Sequence, residues 1–168
     1  MDKIVLEINE AILAKMEGKS IITYGIADPV LIRDEDAEKT LPAIVNTNGE
    51  CVDVFGEADM HDITLYHRIN GVSYSINGGY GSRPSCNTVA DMSIVVYGKR
   101  SLINQYKLKD ELAGVIAEKY NLSSVDFNAI RVFSTEFSGL PFFLNPDYFL
   151  FKLNYSVTST YDNRCKKR

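Results

Sequence analysis

The stretch 149–161, FLFKLNYSVTSTY, puts Phe149, Phe151, Leu153, Tyr155 and Val157 at every second position, with Tyr161 in the same phase, Ser159 the exception, and mostly polar residues between. A repeat of two gathers these side chains on one side of an extended chain, whereas a helical repeat would scatter them. The stretch therefore predicts a β-strand with one buried face, and the rest of the chain must supply its sheet partners and a covering layer. Lys152 falls on the other side, which is expected to be polar and open to solvent. A second strand is expected at 89–98, VADMSIVVYG, where Ala90, Met92, Ile94 and Val96 alternate with Asp91, Ser93, Val95 and Tyr97. Apolar residues occupy both phases there, so both faces are expected to be at least partly covered.

Two segments follow a helical period instead. Ile4, Val5, Ile8, Ile12 and Met16 recur at three- and four-residue spacings with Gly18 placed to end a helix, which predicts one over 2–17. Over 101–120, Ser101 stands where it could cap, and Leu102, Ile103, Tyr106, Leu112, Val115, Ile116 and Tyr120 predict a second helix ending near Asn121. The segment 20–33 is β-branched but interrupted by Pro29, giving a strand and a break, and DEDAEK at 34–39 is an acidic, solvated link. Asn48-Gly49 and Asn70-Gly71 each sit between apolar or alternating runs. Asn-Gly suits the positive φ angles of a type I′ turn, so both pairs predict hairpins, AIVNTNGECVDVF and DITLYHRINGVSYSI. A further strand, AIRVFSTEF at 129–137, precedes turns at Gly139-Leu140-Pro141 and Asn145-Pro146-Asp147. The order of elements is that of an α+β fold, a mostly antiparallel sheet with two main helices packed on one face. With 168 residues, 45% of them hydrophobic, one domain over 1–162 is expected, followed by a short basic C-terminal tail at 163–168.

The chemistry-bearing residues form no complete motif. Gly79-Tyr80-Gly81 lacks the third glycine of a dinucleotide fingerprint and leads into a strand where a phosphate site needs a helix N-terminus. The loop around it, with Gly78, Gly79, Tyr80, Gly81 and Arg83, is better suited to contact with a partner chain. Gly18-Lys19-Ser20 resembles the end of a P-loop, but the first glycine of that motif would fall at Leu13, inside a helix. Glu57, Asp59, His61, Asp62 and His67 are metal-ligand types, yet on one extended segment the two histidines stand about 20 Å apart, too far to share an ion. With those two histidines alone and no GxSxG, no serine or cysteine is singled out as a nucleophile, so neither catalysis nor a cofactor or metal is expected.

Net charge is −4, and the basic residues are scattered apart from the terminal Arg164, Lys166, Lys167 and Arg168, so no face for sequence-specific nucleic acid is expected. The longest apolar runs are far shorter than a membrane helix requires, and the acidic N-terminal stretch does not read as a signal peptide. Three cysteines without a CxxC pair, Cys51, Cys86 and Cys165, suit free thiols in a reducing cytosol.

A short amphipathic N-terminal helix, antiparallel hairpins, the strand ADMSIVVYG leading into SLINQYKLKDELAGVIAEKY, and closing strands ending FKLNYSVTST are an order that resembles the small α+β proteins of tailed-bacteriophage necks, the tail-terminator and head-tail connector or ring proteins. The resemblance covers most of the chain by element order and strand character. It implies a structural virion protein, made in the host cytoplasm, that forms a homo-oligomeric ring of six or twelve copies joining portal or connector to tail, with other neck, portal or tail proteins as partners. The long 43–81 hairpin region and the acidic 34–39 loop depart from that pattern. Two other readings stand beside it, a small cytosolic enzyme whose site is assembled from scattered residues and a non-viral interaction or adaptor domain.

Overall fold

Residues 2–34, 39–53, 61–77, 85–127 and 147–162 are described by the structure, a computed structural model. In chain order the elements are α1 (Asp2–Lys15), β1 (Ile21–Asp34), β2 (Lys39–Asn46), β3 (Cys51–Val52), β4 (Ile63–Asn77), β5 (Ser85–Lys99), α2 (Gln105–Ala117), β6 (Asn121–Asp126) and β7 (Tyr148–Asp162). Among the described residues seven strands lie in the order β3-β2-β1-β4-β5-β7-β6. The β1–β4 pair is parallel and the other pairings are antiparallel. This is the α+β architecture that the alternation and the helical periods imply.

The alternating strand at 149–161 takes the expected role. Phe149, Phe151, Leu153, Tyr155 and Val157 are all buried, and they share one cluster with Val5, Ile8 and Ile12 of α1 and Leu108, Leu112 and Ile116 of α2. Both helices therefore cover the same face. Gly18, with φ +89°, ends the first of them, and Lys19 Nζ reaches Glu111 Oε2 of α2 at 3.4 Å. Close approach fixes one glycine within the sheet: a Cβ on Gly98 would lie 2.8 Å from both the Asp62 carbonyl oxygen and Phe149 Cζ.

The opposite face differs from expectation. Tyr66, Val95, Tyr97 and Leu150 are buried there in a second cluster with Ala27 and Ile44, which Leu31 and Val52 extend. The β1–β2–β3 end of the sheet supplies these partners, and Lys152, expected in solvent, is buried. Both faces of β5 are covered, as its two-phase pattern requires.

Other local expectations are corrected by pairings between distant segments. Pro29 does not break β1, because from Ala27 onward that strand pairs with β2 alone, Pro29 standing opposite Ile44. A proline is tolerated where its missing N–H would face an open edge. The Asn48-Gly49 hairpin forms, but Gly49 N bonds Asn46 O at 2.9 Å and Gly49 takes φ +81°, so the pair closes a three-residue loop instead of sitting at the centre of a type I′ turn. Asn70-Gly71 makes no turn at all. It lies inside β4, where Ile69 pairs with Met92 and Gly71 with Asp91, so Asn70 is an extra residue, a β-bulge, in an otherwise continuous ladder with β5. The α2 cap is Asn104, not Ser101: the turn that closes Ile103 N on Lys99 O comes first, and Asn104 Oδ1 then accepts from Tyr106 N at 3.0 Å and Lys107 N at 3.2 Å. The helix stops at Ala117, and Asn121 begins β6, an edge strand whose Leu122 and Val125 pack on the core. The strand expected at 129–137 and the tail 163–168 lie outside the described residues.

Candidate assembly surface

Two strands end their pairing early and leave part of the sheet standing apart. β1 follows β4 only as far as Ile26 opposite His67, and β6 follows β7 only as far as Asn121 opposite Ser156. Beyond those rows the described sheet is three-stranded: 71–77 of β4, 85–91 of β5 and 157–162 of β7, in continuous register from Val72–Ala90–Val157 to Asn77–Ser85–Asp162. We refer to this extension as the arm.

The bulge at Asn70 decides what the arm presents. Before it, Ile63, Leu65 and Ile69 face the helices; with one residue inserted, the register aligns Val72 with core residue Ala90 and Tyr74 with Thr88 on that same side. Without the extra residue Ser73 and Ser75 would take their place. Ala90 and Val157 are still buried, but Val72 is 42% exposed and Tyr74 72% exposed. The apolar row of the core therefore continues outward past the edge of the helical layer. On the other face Ser73 Oγ donates to the Val89 carbonyl oxygen at 3.4 Å, and at the bulge Ser93 Oγ donates to Asn70 Oδ1, also at 3.4 Å.

The residues expected to meet a partner, Gly78, Gly79, Tyr80, Gly81 and Arg83, fall in the segment joining Asn77 to Ser85, which lies outside the described residues. Its two ends are paired antiparallel strands, with no helix N-terminus at either one, in keeping with the reading against a dinucleotide loop. Val72 and Tyr74 were missed as surface residues because the Asn-Gly pair beside them reads as a turn. An alternating VSYSI next to a 15-residue partner strand was the signal that could have found them.

The one buried histidine among the described residues sits at the centre of a different arrangement. Asn9 Nδ2 donates to the Tyr24 carbonyl oxygen at 3.3 Å, which turns Asn9 Oδ1 toward His67 Nε2 at 2.7 Å. The Nε2 atom must then carry the proton, leaving Nδ1 to accept from the Tyr155 hydroxyl at 3.3 Å. Burial lowers the His67 pKa to about 4, and burial together with the adjacent Tyr120 holds the Tyr155 phenol well above its ordinary value. His67 has no exposed surface. It links α1, β4 and β7 and is closed to any substrate.

His61 and Asp62 are both engaged by Ser20: His61 Nδ1 lies 3.1 Å from the Ser20 hydroxyl oxygen, and Asp62 Oδ2 accepts from Ser20 N at 3.1 Å. Glu57 and Asp59 lie outside the described residues, among which no three metal-ligating side chains come together. No described helix is long and apolar enough to cross a membrane. Set against known proteins, the sequence matches no family model and shows no significant match to a curated protein.

Proposed function

We propose that this chain is a structural assembly protein of the tailed-phage neck, a non-catalytic subunit of a homo-oligomeric ring that joins portal or connector to tail. The observation that carries the reading is the arm, where the apolar row of the core runs out to exposed Val72 and Tyr74. An apolar row open to solvent at the end of a sheet is costly for a solitary chain and useful at an interface. The element order shared with neck proteins supports the same reading. So does the sealed His67, which has the right chemistry for catalysis but no access to a substrate.

Light scattering after gel filtration, followed by particle imaging, tests the proposal. The expected result is a ring of six or twelve copies, formed by the chain alone or once portal and tail proteins are added. A strict monomer under both conditions overturns it.

A further inference from the structure

The arm has two outer edges that match. On one side 71–77 of β4 reads GVSYSIN, with no charged residue, and on the other 157–162 of β7 reads VTSTYD, whose one charge, Asp162, stands in the outermost row. Both edges flank the same stretch of β5, rising together from the row of Val72, Ala90 and Val157 to the row of Asn77, Ser85 and Asp162. Both strands run antiparallel to β5 and hence in the same direction as each other. Among the described residues neither edge has a strand beyond it.

Sheets in soluble proteins guard a free edge with lysine, proline or inward charge, and an unguarded edge is a template for another strand. Two unguarded edges of equal height and equal direction, on opposite sides of one arm, are complementary to each other across two copies. We infer that the β7 edge at 157–162 in one copy pairs in parallel with the β4 edge at 71–77 of the next, so that the arms join into one continuous sheet; this rests on the ring reading above. The contact is heterologous, with a different surface from each partner, and repeating it under rotation closes a ring. The register continues through the junction, setting Val157 of one copy beside Val72 of the next. Pairing β4 with its own equivalent would instead stop at a dimer and leave the β7 edge bare.

Lysines placed on one edge at a time test this. One variant carries Val72→Lys with Tyr74→Lys, the other Thr158→Lys with Ser159→Lys, all at exposed positions. Circular dichroism establishes folding, and the single Tyr74→Lys and Thr158→Lys variants replace any double variant that fails to fold. In sedimentation velocity, under conditions where the wild type assembles, each variant alone is expected to be monomeric, and an equimolar mixture is expected to form a dimer and nothing larger. That dimer uses the one intact edge of each variant. If either variant keeps the wild-type assembly, or the mixture stays monomeric, the edge pairing is wrong and the ring reading survives. If the wild type never assembles, the ring reading fails and takes the pairing with it.

Discussion

His67 shows how a single buried side chain ties acidity to stability. Its folded pKa of about 4 lies below the ordinary histidine value of 6.5 because burial disfavours the charged ring. The unfolded chain therefore takes up a proton as pH falls through 6.5, while the folded chain does not until pH is near 4. Stability is flat with respect to this group at neutral pH, declines as pH falls across that window, and loses about 3 kcal/mol in all, at roughly 1.4 kcal/mol per pH unit. Urea midpoints measured between pH 7 and pH 4 should show that decline. In His67→Gln, which cannot titrate, the decline should shrink by about that amount. An unchanged pH profile in the variant would mean that His67 is not held neutral by the fold.

Along β4 the bulge at Asn70 acts as a shift of phase in a pattern of period two. Deleting Asn70 should restore the simple alternation and turn Ser73 and Ser75 toward the helical side in place of Val72 and Tyr74. Amide exchange at 71–77 is then expected to speed up at least tenfold while 63–69 stays protected; unchanged protection at 71–77 would mean that the bulge does not set the arm's register. The same residue marks where sequence reading stops. The alternations of 149–161 and 89–98 were legible because a buried strand writes its face into its own residues. The Asn70-Gly71 preference for a turn was overridden by β5, a partner twenty or more positions away at Met92 and Asp91. Pro29 and Ser101 misled for a related reason, since an open edge and a preceding turn are properties of neighbours. The arm was the least legible feature, because it exists where β1 and β6 stop, and no residue in the arm records that.

At the scale of the molecule, two apolar clusters lie on opposite faces of the same strands, β5 and β7 contributing to both. Shared strands couple the two clusters, so unfolding should be a single transition. Leu153→Ala in one cluster and Ile44→Ala in the other should each lower the same midpoint, at a cost of roughly 2 to 5 kcal/mol for each fully buried side chain. Two separable transitions in a calorimetric scan, each sensitive to one substitution, would show instead that the faces fold independently. The strand order β5-β7-β6 has a further consequence, one that concerns time. On the ribosome β5 and β6 emerge well before β7, the strand that lies between them, and until it arrives β5 shows a bare edge along its whole length while His67 lacks its tyrosine. The strand that joins β5 to β6 is thus made after both of its neighbours, and the nascent chain must stay soluble with the slot between them open.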